Sequence, residues 1–361
     1  MHGDLSLFKG GYMKRLSLSI LTLLLWVLGS GGYAQQAVSP EEHFKAGLIF
    51  TQHGKYQEAI REFTQAIKSK PNYVEAYNSL ASLYFILGDP EQAIKLAKEA
   101  IKIKPDYAEA YYTLGSIYNV QKKPKEAIKA LQEAVKLKPD YVDAYVNMGW
   151  VVYLQGDYEG ALTHFQKATQ INPEDPGAHV GLGEVYMKKG QYDQAVTEFK
   201  EALRIKPNHM GAHHSLSHAY LAQKKMEEAI REFQAITQIQ PNDPEAYHEL
   251  GLIYAEQGKY EEAIKEFTKV IQLAPEDPKV RNRLAWILID KDFNLDEGIQ
   301  HAQKALELKP DFSEAMGTLG WGYYKKGMYP EAVAWLQKAA AGSKDKTLQQ
   351  RLEQAQQKLK K

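Results

Sequence analysis

Four of the chain's eleven histidines crowd together at His209, His213, His214 and His218, and His248 stands further along. Residues four apart share a helix face, so His214 and His218 have the spacing of two zinc or copper ligands, with His248 as a third nitrogen. The competing reading is a set of ordinary polar side chains, and it is the one adopted: no metal site and no cofactor is expected. The 361 residues contain no cysteine, which removes disulfides, thiolate metal ligands and cysteine nucleophiles together. There is no Gly-rich phosphate loop, no Gly-x-Ser-x-Gly turn and no His-Glu-x-x-His pair; His248-Glu249 runs on to Leu252 where a second histidine would stand. Carboxylates are plentiful but interleaved with lysine, as in Glu261-Glu262-Ala263-Ile264-Lys265-Glu266, the pattern of a solvated helix face. With 45 basic and 45 acidic residues the net charge is zero, so no electrostatic footprint for nucleic acid exists. Chemistry this sparse points to binding, and no catalytic residue is expected.

The segment up to Ala34 stands apart. Met13-Lys14-Arg15 is a basic start, Leu16 to Leu28 is an uncharged apolar run, and Gly29-Ser30-Gly31-Gly32-Tyr33-Ala34 follows. That is the layout of a secretory signal peptide, with cleavage expected between Ala34 and Gln35 and Met13 as an alternative start. The apolar run is shorter than the ~20 residues a spanning helix needs. An uncleaved anchor remains the alternative, since the uncharged stretch continues to Ala34. Either outcome places the rest outside the cytoplasm, periplasmic or secreted, with membrane contact only through this segment.

Beyond it lies a ladder. Prolines recur at 71, 105, 139, 173, 207, 241, 275 and 310, the interval identical six times in succession and one position longer the seventh. Counting places from Pro40, place eight is small: Gly47, Ala81, Gly115, Gly149, Gly183, Ser217, Gly251, Ala285 and Gly320. Place eleven is large, from Phe50 and Tyr84 to Tyr254 and Tyr323, and place twenty is alanine except at Gly298. Apolar places recur three and four apart in two stretches of about 14 residues per repeat, so each repeat is a pair of helices. Turns such as Gly54-Lys55-Tyr56 separate them, glycine supplying the positive φ that ends a helix. Ser39-Pro40-Glu41-Glu42 is a capping box, and Asp175-Pro176, Asp243-Pro244 and Asp277-Pro278 are further starts. The eighth repeat gains a residue in Asp290 to Glu297, where a local bulge is expected. After the ninth, Asp345 caps a last helix whose stripe is Leu348, Leu352, Ala355 and Leu359.

The period, roughly 34 residues, and its columns resemble the tetratricopeptide repeat. The expected fold is all-α: a right-handed superhelical solenoid of nine helix-turn-helix repeats near 40–73, 74–107, 108–141, 142–175, 176–209, 210–243, 244–277, 278–312 and 313–346, then a capping helix over 347–361. The resemblance implies a concave groove lined by the first helix of each pair, mainly at places two, five, nine, twelve and thirteen. Those places and their neighbours hold the candidate protein-binding residues Asn78, Tyr112, Asn119, Asn147, Trp150, Tyr153, Asn282, Trp286, Trp321 and Tyr324. Trp286 and Trp321 share place nine of adjacent repeats and should stand roughly 10 Å apart, the spacing of packed helices. They read either as ligand contacts or as packing against the end cap. His179 and His213 take place four, where a packing aromatic usually sits. Place two of the first four repeats is acidic, Glu41, Glu75, Glu109 and Asp143, which suits a basic ligand or simply the helix dipole. The family's carboxylate clamp is matched only by Lys279 and Arg283; His214, His218 and Glu249 occupy its other places, so no chaperone tail is expected to bind. The expected partner is a protein or extended peptide in an envelope or secretion assembly, with a membrane-anchored scaffold or a metal- or glycan-binding module as the alternatives, and oligomeric state is open.

Overall fold

The computed structural model describes residues 38–341 and 345–360. The signal segment and the Ala34–Gln35 cleavage point lie outside the described residues. Within them the chain forms nineteen helices and no strand. Contacts divide the chain into two units, one ending at Gln191 and the other beginning at Tyr192. The first holds the pairs α1 (Pro40–Gln52) and α2 (Tyr56–Ser69), α3 (Val74–Ile86) and α4 (Pro90–Ile103), α5 (Ala108–Val120) and α6 (Pro124–Leu137), and α7 (Val142–Leu154) and α8 (Tyr158–Ile171), then α9 (Pro176–Lys188). The second opens with α10 (Tyr192–Ile205) and continues with α11 (Met210–Ala222) and α12 (Met226–Ile239), and α13 (Pro244–Glu256) and α14 (Tyr260–Leu273). It ends with α15 (Pro278–Asp290) and α16 (Leu295–Leu308), α17 (Ser313–Lys325) and α18 (Tyr329–Ala340), and α19 (Lys346–Leu359). Within each unit a helix packs on its partner and on the first helix of the next pair.

The boundaries follow from local chemistry. Ser39 Oγ accepts from the Glu42 amide at 3.2 Å while the Glu42 carboxylate accepts from the Ser39 amide at 2.8 Å, so both donors at the start of α1 are satisfied. Asp175, Asp243 and Asp277 cap α9, α13 and α15 ahead of proline at the first helical position. Between the helices of a pair the chain turns through positive φ, at Gly54, Gly88 and Gly156 among others. Two repeats lack that glycine and force lysine into the same region, Lys122 at φ 57° and Lys224 at φ 60°. The turn is unchanged: the Lys55 amide reaches the Phe50 carbonyl at 2.9 Å, and the Lys123 amide reaches the Tyr118 carbonyl at 2.9 Å. In the eighth repeat the extra residue is absorbed at Asp292, φ 57°, and Asn294 then caps α16 through the Glu297 amide.

In most pairs the core follows a volume rule between place eight and place twenty-four; the sixth departs from it, with Ser217 and Phe233 both fully buried. A Cβ on Gly47 or Gly149 would stand 2.6 Å from the ring of Phe63 or Phe165, and one on Gly251 2.7 Å from Phe267. Gly115 and Gly320 face Leu131 and Leu336 at 2.7 and 2.8 Å in the same sense. Where place eight is alanine, place twenty-four shrinks to alanine too: Ala81 shares a buried cluster with Ala97, and Ala285 with Ala302. Large side chain and absent Cβ are thus matched across the helix pair, as close packing requires. At the C-terminus Asp345 caps α19, accepting from Thr347 and Leu348 amides at 2.8 and 3.4 Å. Leu348, Leu352 and Ala355 pack on Ala332, Val333 and Leu336. Leu359, expected in that stripe, is 47% exposed because α19 outlasts the shorter α18 beside it.

Candidate functional site

Polar side chains divide between the two helices of each pair. Ion pairs three residues apart lie on second helices: Lys102–Glu99, Lys136–Glu133, Arg204–Glu201, Arg231–Glu228 and Lys304–Glu307. Among the described residues no first helix carries such a pair. First helices instead present amides, aromatics and isolated charges.

In the first unit the candidates gather on α5 and α7. Asn119 Nδ2 donates to Asn147 Oδ1 at 3.0 Å, and Asn147 Nδ2 donates to Ser116 Oγ at 2.7 Å. Tyr112 joins the chain through Ser116, and its ring lies 5.1 Å from that of Tyr141. Burial, then the nearby Asp143 carboxylate, pushes the Tyr112 hydroxyl well above the usual phenol range, so it remains a neutral hydrogen-bonding group. Trp150 meets Tyr153 and Phe165 edge to face at 5.5 and 5.2 Å, and its Nε1 is buried with no hydrogen-bond partner. The Tyr153 hydroxyl donates to Glu184 Oε2 at 3.3 Å; burial and that carboxylate raise its pKa. Asn78 stands apart from both groups, with Oδ1 buried and unpartnered.

Half of the acidic row is answered from within the chain. Lys70 reaches Glu41 at 2.9 Å, and Lys138 reaches Glu109 at 3.7 Å, each lysine standing just before its repeat proline. In the fourth repeat that lysine is replaced by Asn172, and among the described residues Asp143 makes no ion pair. Enclosure by protein and the neighbouring Asp175 push its carboxyl up to about 6.

The histidines go to separate partners. His213 is buried, with Nδ1 2.7 Å from Glu232 and Nε2 2.9 Å from the Pro207 carbonyl. His209 accepts from the Ala212 amide and caps α11. His214 faces Asp243 at 3.4 Å, His248 faces Glu249 at 3.4 Å, and the His218 ring lies against Phe233. Among the described residues no three His, Cys, Asp or Glu side chains come together where they could hold a metal ion.

In the second unit the candidates surround a groove of about 980 Å³ walled by α15, α17, the end of α18 and α19. The Arg351 guanidinium, from α19, is inserted between Trp286 and Trp321, 4.4 Å from one ring centre and 4.7 Å from the other. Asp290 stands 3.6 Å from it. Trp321 also stacks on Tyr324 at 4.8 Å with an 8° interplanar angle. The two tryptophans therefore grip the chain's own end. Asn282 lines the groove at 9% exposure, its Oδ1 lacking a hydrogen-bond partner. Arg351 was not singled out from the sequence, yet the signal is there: Leu348, Arg351, Leu352 and Ala355 fall on one helix face, so a cation sits within the buried stripe.

Among the described residues no helix is long and apolar enough to cross a membrane. Comparison with known families matches residues 44–108 and 293–346, and again 85–149, to the tetratricopeptide repeat, residues 151–190 to the TPR repeat, and residues 171–281 to the TPR domain of cytochrome c-type biogenesis protein H. No curated protein matches the chain significantly. A crystal structure of MamA shares 34% identity, covering 45% of this chain and 94% of its own, with a TM-score of 0.39. Pseudomonas aeruginosa pilF shares 20% identity over 59% of this chain and 96% of its own, with a TM-score of 0.52, a likeness of fold. YrrB, described as a TPR protein with an unusual peptide-binding site, shares 25% identity over 52% of this chain and 96% of its own, with a TM-score of 0.40. With its recurring helix pairs, its glycine and aromatic columns, and these matches over most of its length, the chain belongs to the tetratricopeptide repeat family.

Proposed function

We propose that this protein is a non-enzymatic, exported scaffold that holds a protein or extended peptide segment against the first helices of its repeats. The observation that carries this reading is the division of labour between helices: solvated Lys/Glu pairs occupy second helices, while first helices display amides and aromatics. Amides satisfy a ligand backbone, and aromatic surfaces dominate binding energy at interfaces. The family match over residues 171–281 to a cytochrome c-type biogenesis TPR domain favours an assembly role in the cell envelope. The basic-apolar-small order of the segment ending at Ala34 favours export.

The test is affinity capture from envelope extract with the parent and a Trp150→Ala/Tyr153→Ala variant of equal helicity by circular dichroism, alongside a Lys136→Ala/Glu133→Ala control. A stoichiometric partner retained by the control and lost by the first-helix variant is expected. Equal retention by all three would move binding to another face. Mass spectrometry of the protein purified from its host should begin at Gln35, whereas an intact N-terminus would favour the anchored form.

A further inference from the structure

The geometry points to a carboxylate receptor in the groove of the second unit, anchored by Arg351, whose ligand is an extended peptide segment carrying an acidic side chain. It rests on, and narrows, the peptide-binding reading above. Arg351 is held over both Trp286 and Trp321, and its side chain is 19% exposed. The two indole faces hold the guanidinium carbon without accepting from its N–H donors. The nearest carboxylate, Asp290, is 3.6 Å away, beyond hydrogen-bond range, and is also met by Lys291 at 2.9 Å, while the Asp345 carboxylate acts on Arg351 from further off. Arg351 makes no hydrogen bond within the described residues. A largely buried guanidinium with unfilled donors, oriented in advance and lining an open groove, is a receptor for a planar anion.

Two further observations converge on the same wall. Lys279 and Arg283, one turn apart on α15, line the groove with no ion pair among the described residues. Asn282 between them is nine-tenths buried, and its Oδ1 awaits a donor. A peptide laid along α15 supplies both complements, a main-chain N–H for Asn282 and a side-chain carboxylate for the cations. Of the acids nearby, Asp345 caps α19 and Asp290 meets Lys291, while Glu249, shared with His248, lies within electrostatic reach of Arg283 and Glu314 lines the wall opposite Lys279. This arrangement differs from the family's carboxylate clamp. Its anchor comes from α19, outside the repeats, and the clamp's other places hold His214, His218 and Glu249. The tryptophans then act as positioning residues, and α19 is a wall of the site as well as a lid on the core.

The probe is a random heptapeptide library blocked at both ends, panned against the full chain, with selected peptides then measured by fluorescence anisotropy. Selected sequences are expected to be enriched in Asp and Glu, and their Asn/Gln counterparts to bind about tenfold more weakly, the scale of a lost charge-assisted contact. Arg351→Ala should lose the preference. Since that change could also loosen α19, Lys279→Gln/Arg283→Gln, which leaves α19 untouched, must weaken the same peptides with unchanged helicity. Peptides that bind the parent equally well in neutral form, or that keep full affinity for both variants, would overturn the carboxylate receptor alone. A library that yields no binder, together with failed capture by the first-helix face, would overturn the peptide-binding reading with it.

Discussion

At the scale of single residues, two turns and one ion pair carry measurable strain or linkage. Lys122 and Lys224 occupy the left-handed region that glycine fills in six other turns. An L-residue there costs about 1–2 kcal/mol, partly offset by glycine's larger loss of backbone freedom on folding. Lys122→Gly is therefore expected to stabilise α5 and α6 by roughly 0.5–1 kcal/mol, read as slower amide exchange in those helices; faster exchange would show that the lysine side chain contributes more than its backbone costs. His213 is a linkage case. Burial opposes its charged form, but the Glu232 carboxylate at 2.7 Å and the Pro207 carbonyl outweigh it, and the pKa stands above the ordinary histidine value. A raised folded pKa gives stability that is complete below the unfolded pKa of about 6.5 and lost as pH climbs through the folded value. His164 and His301 shift the opposite way, through burial, and act on the acid side. The diagnostic is thus a difference: between about pH 6 and pH 8.5 the urea midpoint of the parent should fall further than that of Glu232→Gln, and parallel profiles would remove the ion pair from the account.

At the scale of the helix pair, packing in most repeats is set by the sum of two places, the Ser217 and Phe233 pair being the exception. Gly149 with Phe165 and Ala81 with Ala97 are two solutions to the same spacing. Ala97→Phe alone drives a ring into the Ala81 Cβ and should cost about 1–3 kcal/mol, as overpacked cores do. Ala81→Gly in the same chain recreates the neighbouring solution and should recover part of that loss. A double-mutant cycle reports the coupling, and additive effects would mean that the helices simply move apart. The place-eight column was legible in the sequence, as were the capping box at Ser39 and the aspartate caps, whereas its pairing with place twenty-four emerged only from the fold. The grip on Arg351 was not legible either. It joins three helices across the whole stretch from Trp286 to Arg351, and no period links a residue outside the repeats to those within them. For the same reason the histidine spacing suggested ligands that the fold sends to Asp243, Phe233 and Glu249 instead.

At the scale of the whole molecule, stability is distributed. Each helix packs on its near neighbours within its unit, so folding energy is a sum of local terms plus the interfaces between adjacent repeats. The division at Gln191 and Tyr192 separates one such sum from the other. A single unfolding free energy is then ill-defined, and perturbations should stay near their origin. Phe267 is 1% exposed in the core shared by α13, α14 and α15, and its truncation to alanine removes about 3–5 kcal/mol. Phe63 of α2, equally buried in the core shared by α1, α2 and α3, is its counterpart in the first unit. Hydrogen exchange read by mass spectrometry on Phe267→Ala should show lost protection across α13 to α16 with α1 to α4 unchanged, and Phe63→Ala should show the reverse. If either substitution lowered protection evenly from α1 to α19, the repeats would be folding as one cooperative body. Ligand capture in the groove beside α19 would then be coupled to the far end of the chain, whereas local unfolding confines that coupling to the repeats the ligand touches.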